Sequence, residues 1–475
     1  MQNQKSKFDR VLGKKDVFSI AFGAMIGWGW VVLAGSWIQK AGTLGAIISF
    51  IMGGILILFV GLAYAELTSA LPQCGGEQIF SLRALGPNLS YVCTWAIILS
   101  YVGVVAFESC ALPTVIDYII PGFKKGYMYS VEGADVYATW VAAGVIGSLI
   151  LTVVNYLGIK PAAFMQTVFT GVIILIGIVL MLGAVKSGDT TKMEPMFQDG
   201  VPGILSVAVM TPFMLMGFDV IPQAAEEIAI PFKKIGKIIL LSIFSAVLWY
   251  SLIIVAVSSL MTKGEMDTST LVTADAMKNA FGGSKAMGNV LIIGGMAGIL
   301  SSWNSFFMGG SRAIYALAEA KCLPAFLTKI HPKYKTPSNA VLLIGLISTI
   351  APFFGASMLE WLTNAGGLGA VTAYMMVSIS FVVLRKKEPE LKRPYRVKNY
   401  KFVGAMAVIL SIGMISCYLP GMPSGLGTPE WIIIGSWVLL GVIFYIYAKR
   451  KFPEFGRVIH IEMEEVEEKK KGKSH

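Results

Sequence analysis

Charge is what this chain has least of: only 14% of its 475 residues are Asp, Glu, Lys or Arg, roughly half the share of a water-soluble domain. Histidine is scarcer still. The three that occur, His331, His460 and His475, lie in polar segments, and neither H-E-x-x-H nor G-x-S-x-G is present. That removes the common signatures of zinc and serine hydrolases, so an enzyme is not expected. The five cysteines (Cys74, Cys93, Cys110, Cys322, Cys417) are scattered without C-x-x-C spacing, which implies neither a zinc site nor a disulfide framework. No ring-forming filter motif of a channel is present either. Apolar residues dominate instead: 55% of the chain is hydrophobic and its mean hydropathy is +0.69. Such a composition belongs to an integral membrane protein, and the formal charge of +11 is then read through the loops, not as affinity for nucleic acid.

Apolar runs of roughly 18 to 30 residues predict about twelve membrane helices. They centre near Ile26, Ile57, Val105, Ile146, Ile174, Leu215, Leu248, Leu300, Leu346, Met375, Ile412 and Leu439. An even number returns both termini to one side. With the N-terminus inside, most of the 39 Lys and Arg residues fall on that face, above all in the loop from Arg385 to Arg396. Glu132, Asp135, Asp189, Glu194, Glu265 and Asp267 collect on the other. The positive-inside bias therefore predicts cytoplasmic termini in a cell membrane, and no cleaved signal peptide is expected. Residues 1–15 form a cytoplasmic segment, about 16–450 a single transmembrane domain, and 451–475 a charged cytoplasmic tail that reads as disorder or a frayed helix.

Three glycines, Gly23, Gly27 and Gly29, interrupt the first apolar run. Gly23 and Gly27 form a G-x-x-x-G pair, which lets membrane helices pack closely. The third glycine, and a second interrupted stretch from Thr211 to Asp219, point instead to unwound backbone, which hydrocarbon tolerates only beside a protein-enclosed or watered cavity. Paired broken helices mark a transporter site. The breaks lie about 190 residues apart in helices crossing in opposite directions, which predicts two inverted five-helix repeats, about 16–186 and 201–385, with helices eleven and twelve at about 402–450 outside them. Two acids, Glu108 and Asp219, fall near the midplane, where a charge costs about 2.5–3.5 kcal/mol and so signals function.

The run from Gly23 to Gly29 resembles the helix-one signature of the amino acid/polyamine/organocation transporter superfamily. Gly217-Phe218-Asp219, with Ala224-Ala225-Glu226-Glu227 and Pro231, resembles its sixth helix, especially in cationic-amino-acid-transporter-like members. Gly75-Gly76 and Ala84-Leu85-Gly86-Pro87 match the family's first cytoplasmic loop; Arg312 to Ala318, Leu323-Pro324 and His331-Pro332 match the segment after helix eight. The resemblance implies the leucine-transporter fold, an all-α membrane protein of five plus five inverted helices and two more. It implies that amides of Gly27, Trp28 and Gly29 hold a substrate carboxylate, that carbonyls of Met25, Phe213, Leu215 and Met216 take an α-ammonium, and that Phe213 and Phe218 cover the pocket. Glu108 aligns with a substrate-facing position and is read as contacting an amine, with a structural acid or a proton-coupling site as alternatives; Asp219 is the other coupling candidate. Trp303 and Asn304 are further pocket residues. Trp28 and Trp30 depart from the small or aliphatic residues common there, which either narrows the pocket or alters packing.

The carbonyl of Gly298 and the hydroxyls of Ser301 and Ser302 share one helical face of hard oxygen ligands. This resembles the fold's sodium site, completed by carbonyls of Gly23 and Ile26. Proton-coupled relatives place a helix-five lysine there, and Phe169 to Gly177 contains none, so sodium is the expected coupling ion and no other cofactor is expected. The resulting expectation is a secondary transporter of an amino acid or related amine, coupled to sodium, with proton coupling or exchange as alternatives and a transport-dead nutrient sensor as the reading from another class. Its partners are the bilayer and a small molecule, not nucleic acid; the sequence is silent on oligomeric state.

Overall fold

The computed structural model describes residues 7–131, 134–355, 358–422 and 425–457. Glu132 and the tail from 458 onward lie outside them, as do residues 1–6. The first apolar run folds as two helices, α1 (Lys14–Met25) and α2 (Gly29–Ala41), bent by 43° at the break. α3 (Thr43–Ala70) leads to the short α4 (Glu77–Leu85) and the long α5 (Pro87–Ile119). Pro87 opens α5 at its first turn, where its missing N–H is not needed. A two-stranded antiparallel hairpin, β1 (Tyr127–Val131) and β2 (Ala134–Tyr137), precedes α6 (Ala138–Tyr156) and α7 (Ile159–Ser187). This small addition to an all-α fold is confined to a loop.

The sixth run is again broken, into α8 (Gly200–Ala208), α9 (Thr211–Met214) and, beyond a turn, α10 (Val220–Gln223). α11 (Phe232–Leu260) follows, then two short helices, α12 (Lys263–Thr268) and α13 (Val272–Ala280). The remaining spans are α14 (Lys285–Glu319), α15 (Ser338–Ile350), α16 (Met358–Lys387), α17 (Tyr400–Cys417) and α18 (Thr428–Lys451). Among the described residues nine helices are long and apolar enough to cross a bilayer; the bent α1–α2 pair makes a tenth, and Gly200–Met214 and Ser338–Phe354 are shorter apolar segments. Each of the twelve predicted runs thus has its helical counterpart. α5 and α14 are the inner posts, with 83% and 78% of their apolar windows buried, whereas α18, at 11%, stands at the periphery.

The end of the bundle that carries the N-terminus is tightly closed. Residues before α1 do not trail away: Phe8 and Leu12 are buried, and the N–H groups of Val11 and Leu12 both bond the Glu227 carbonyl at 2.9 Å. Ala229 N–H returns to the Leu12 carbonyl at 2.8 Å. The carboxylate of Glu227 takes a buried two-point contact from Arg312, at 2.9 and 3.0 Å, a geometry that suits a guanidinium better than an ammonium.

The basic loop between α16 and α17 is clamped to the same end by one buried acid. Glu66 receives Arg385 at 2.6 Å through both oxygens, Arg393 at 3.2 Å and the Val397 N–H at 2.7 Å. Removing one partner of a buried ion pair leaves the others uncompensated, at a cost of about 3–5 kcal/mol. Glu66→Gln is therefore expected to lower the thermal unfolding midpoint of the purified protein markedly; an unchanged midpoint would show that the clamp contributes no net stability.

Candidate functional site

The break in the first span exposes backbone donors. Ile26 N–H still bonds the Phe22 carbonyl at 2.9 Å, and the next run resumes with Val31 N–H on Trp28 at 2.9 Å. Among the described residues the N–H groups of Gly27 and Trp28 have no backbone acceptor, and the first turn of α2 adds amides without intrahelical partners. Together they form the positive end of a helix dipole, suited to an anion. Glycine is needed for the approach of α14 and α7: a Cβ on Gly27 would stand 2.8 Å from Ser302 Oγ, and one on Gly23 only 2.1 Å from Thr170 Oγ1.

The second break is set by Gly217, whose φ of 142° is closed to ordinary side chains and whose Cβ would meet Ala24 Cβ at 2.7 Å. Asp219 holds this turn: it accepts the Gly217 N–H at 2.7 Å and the Tyr101 hydroxyl at 2.8 Å. Its carboxylate is buried away from the cavity described below and acts on the backbone. Tyr250 of α11 joins the two breaks. Its hydroxyl lies 2.6 Å from the Met25 carbonyl and 3.2 Å from that of Met214, so one phenol proton serves the last carbonyls of both half-helices. Nothing in the sequence around Tyr250 marks it for this role; an aromatic in an apolar run has no local signature.

Between the breaks lies a cavity of about 440 Å³, within the size range of small-molecule sites. Met25, Gly27, Trp28 and Gly29 line it from the first break, Phe213, Met214 and Met216 from the second, and Glu108, Ser302 and Tyr250 from the surrounding helices. It continues past Ser36 to the exposed Lys40 near the end of α2, and to Thr363 and Asn364 of α16. The cavity therefore points away from the end that carries the N-terminus. Glu108 is 3% exposed; one carboxyl oxygen is hydrogen-bonded to Ser302, and the other has no partner. An unpartnered buried polar atom is costly, and here it borders the cavity.

Several expected pocket residues face elsewhere. Leu215 is buried in the turn, and Phe218 packs between Tyr64 and Tyr374 with ring centroids 5.3 and 5.4 Å apart. On α14 the face toward the first span carries Gly298, Ser302 and Ser305, the last bonding the Ile20 carbonyl at 3.0 Å. The helical rotation then carries Trp303 toward Ser348 (3.2 Å) and Asn304 toward Asn155 and Gln166 (3.0 Å each). The two tryptophans also separate: the ring of Trp28 fills the notch at Gly295, while Trp30 is fully buried edge-on to Trp249 at 5.8 Å.

The hydroxyls of the oxygen set expected for sodium are engaged by neighbouring groups. Gln166 Nε2 donates to Ser301 Oγ at 2.6 Å and to the Ser19 carbonyl at 3.1 Å, and its oxygen accepts Asn304 Nδ2 at 3.0 Å. An amide donor thus stands beside Gly23, where a Cβ would be 2.6 Å from Gln166 Nε2. Ser302 turns instead to Gly298 O, at 2.9 Å, and to Glu108. Of the set Gly23, Ile26, Gly298, Ser301 and Ser302, both hydroxyls therefore have hydrogen-bond partners within the protein. The stretch lacking a lysine begins three residues after the glutamine that fills this space.

A family model described as amino acid permease matches residues 12–444. Over 459 residues the chain is 27% identical to a methylthioribose transporter of Bacillus subtilis, covering 95% of each. It is 26% identical over 451 residues to a branched-chain amino acid permease of the same organism, covering 93% of each. An aspartate-proton symporter, again from Bacillus subtilis, is 24% identical over 468 residues, 94% of this chain and 85% of the other.

Tyr250→Phe removes the only hydroxyl bonded to both breaks among the described residues while keeping the ring's contacts with Trp37 and Phe50. A loss of about 1–3 kcal/mol in stability is expected from the two stranded carbonyls, measured by chemical unfolding in detergent; wild-type stability would mean that cavity water replaces the phenol.

Proposed function

This chain belongs to the amino acid permease family, and from that premise we propose that it is a secondary active transporter moving an amino acid or related amine across the cell membrane by alternating access. The observation that carries the reading is one cavity bordered on one side by the open amides of Gly27 and Trp28 and on another by an unpartnered oxygen of Glu108. The amides suit a carboxylate; the carboxyl of Glu108 suits an amine. Phe107, Phe213 and Phe306 add an apolar stretch of wall, ready for a side chain. One relative is named for methylthioribose, so family membership alone does not choose the cargo; Glu108 is what favours an amine.

The basic residues put both termini in the cytoplasm. On that orientation the cavity opens outward, while Leu12, Glu227 and Arg312 close the inner end. Turnover would part these contacts and shut the route past Ser36 and Lys40. A carboxylate at bilayer depth needs neutralising by a proton or by a ligand's positive charge. In our reading the two alternate on Glu108, which makes transport proton-coupled; the Gln166 amide that donates to Ser301 and the kinship with a proton symporter support this.

Uptake of labelled amino acids and amines into proteoliposomes tests the proposal. An inward proton gradient should accelerate uptake, and replacing sodium with potassium should not change it. Glu108→Gln should abolish proton stimulation and weaken amine binding by about tenfold or more, the worth of a charge-assisted hydrogen bond. Sodium-dependent flux would overturn the coupling, binding without flux would make the protein a sensor, and absence of both across the panel would overturn the reading altogether.

A further inference from the structure

A second cavity of about 440 Å³ lies between α5, α16 and α18 and shares no lining residue with the central one. Its walls are Leu89, Val92, Leu99, Leu368, Val438 and Val442. The floor is the stacked pair Trp95 and Trp437, with ring centroids 4.5 Å apart. Each indole N–H is donated to the other residue's carbonyl, at 2.9 and 3.0 Å, so the floor presents only apolar faces. Val92 and Val438 are about half exposed, at 49% and 54%, which opens the groove toward the surrounding lipid.

Polarity is confined to one end. There the Tyr445 hydroxyl donates to Asn88 Oδ1 at 2.9 Å, and Lys449 Nζ donates to the Tyr445 oxygen at 3.2 Å while lying 5.3 Å from its ring centroid. Arg450 and Lys451 follow in the same last turn. The groove spans Asn88 to Leu99 on α5 and Ile434 to Tyr445 on α18. Each stretch is about 16 Å long at 1.5 Å per residue, close to half the roughly 30 Å hydrocarbon core. A helix of a second copy or of another membrane protein would pack across the full core; this groove stops near the middle and has its cationic group at the outer rim of one leaflet.

We propose that the groove binds an anionic glycerophospholipid, with an acyl chain laid along Trp95 and Trp437 and the phosphate at Lys449. Apolar length matches one chain in one leaflet, and the charge at the mouth complements the headgroup. The site would fasten the peripheral α18 to the buried α5 and α16 through a lipid, at a distance from the transport cavity.

The test uses the full-length protein, delipidated in detergent and supplied with dioleoyl phosphatidylglycerol or dioleoyl phosphatidylcholine, read by native mass spectrometry and thermal shift. Wild type should retain phosphatidylglycerol preferentially and gain more thermal stability from it, because ligands of the folded state stabilise it. Lys449→Gln, at an exposed helix end, should cut the preference by about fivefold, the worth of one basic residue at an anionic surface. Val438→Trp should fill the groove and remove retention of both lipids; should that variant fail to fold, Lys449→Gln decides alone. No preference in wild type, or a preference unchanged in Lys449→Gln, overturns the proposal. A switch from dimer to monomer in Val438→Trp with lipid retention intact also overturns it, and assigns the groove to a second copy.

Discussion

Backbone hydrogen bonds surrendered inside a bilayer have to be replaced, and this requirement organises the centre of the molecule. The two broken spans end in carbonyls that would otherwise face a low-dielectric interior. Tyr250 meets two of them with one hydroxyl, and Asp219 meets the opposite need by accepting an amide at Gly217. The amides of Gly27 and Trp28 are the ones left open, on the cavity side. Structural repair thus falls to Tyr250 and Asp219, separately from the backbone donors that face the cavity.

The same separation distinguishes the two midplane acids. Asp219 and Glu108 look alike in the sequence, each a lone carboxylate in an apolar run. Asp219 has its oxygens engaged by Gly217 and Tyr101, whereas Glu108 keeps one oxygen unpartnered at the cavity wall. One acid maintains a turn; the other leaves an oxygen open to the cavity.

Spans and breaks were legible because both rest on composition over many residues: apolar length sets the helices, and clustered glycines interrupt them. Residue-level facing was less so. A helix advances about 100° per residue, so Ser302, read from the sequence as an ion ligand, lines the cavity, while Trp303 and Asn304, one and two steps on along α14, turn to Ser348, Asn155 and Gln166. The contact of Gln166 with Ser301 was hidden for a related reason, since it joins α7 to α14 across 135 positions. Tyr250 and the clamp at Glu66 depend on contacts across 36 to 331 positions of sequence, distances over which no periodicity carries information.

Glu227 has a consequence for leakage. Its carbonyl anchors the segment before α1, and its carboxylate anchors Arg312 of α14. Because one residue supports both closures, displacing it loosens both together, and partly opened forms of this end lose stability relative to the fully shut and fully released ones. A transporter dissipates gradients through conformations open at both ends. Concentrating two closures on a single side chain and its own carbonyl couples them, so on the alternating-access cycle proposed above they would part together and not one at a time, which disfavours such conformations.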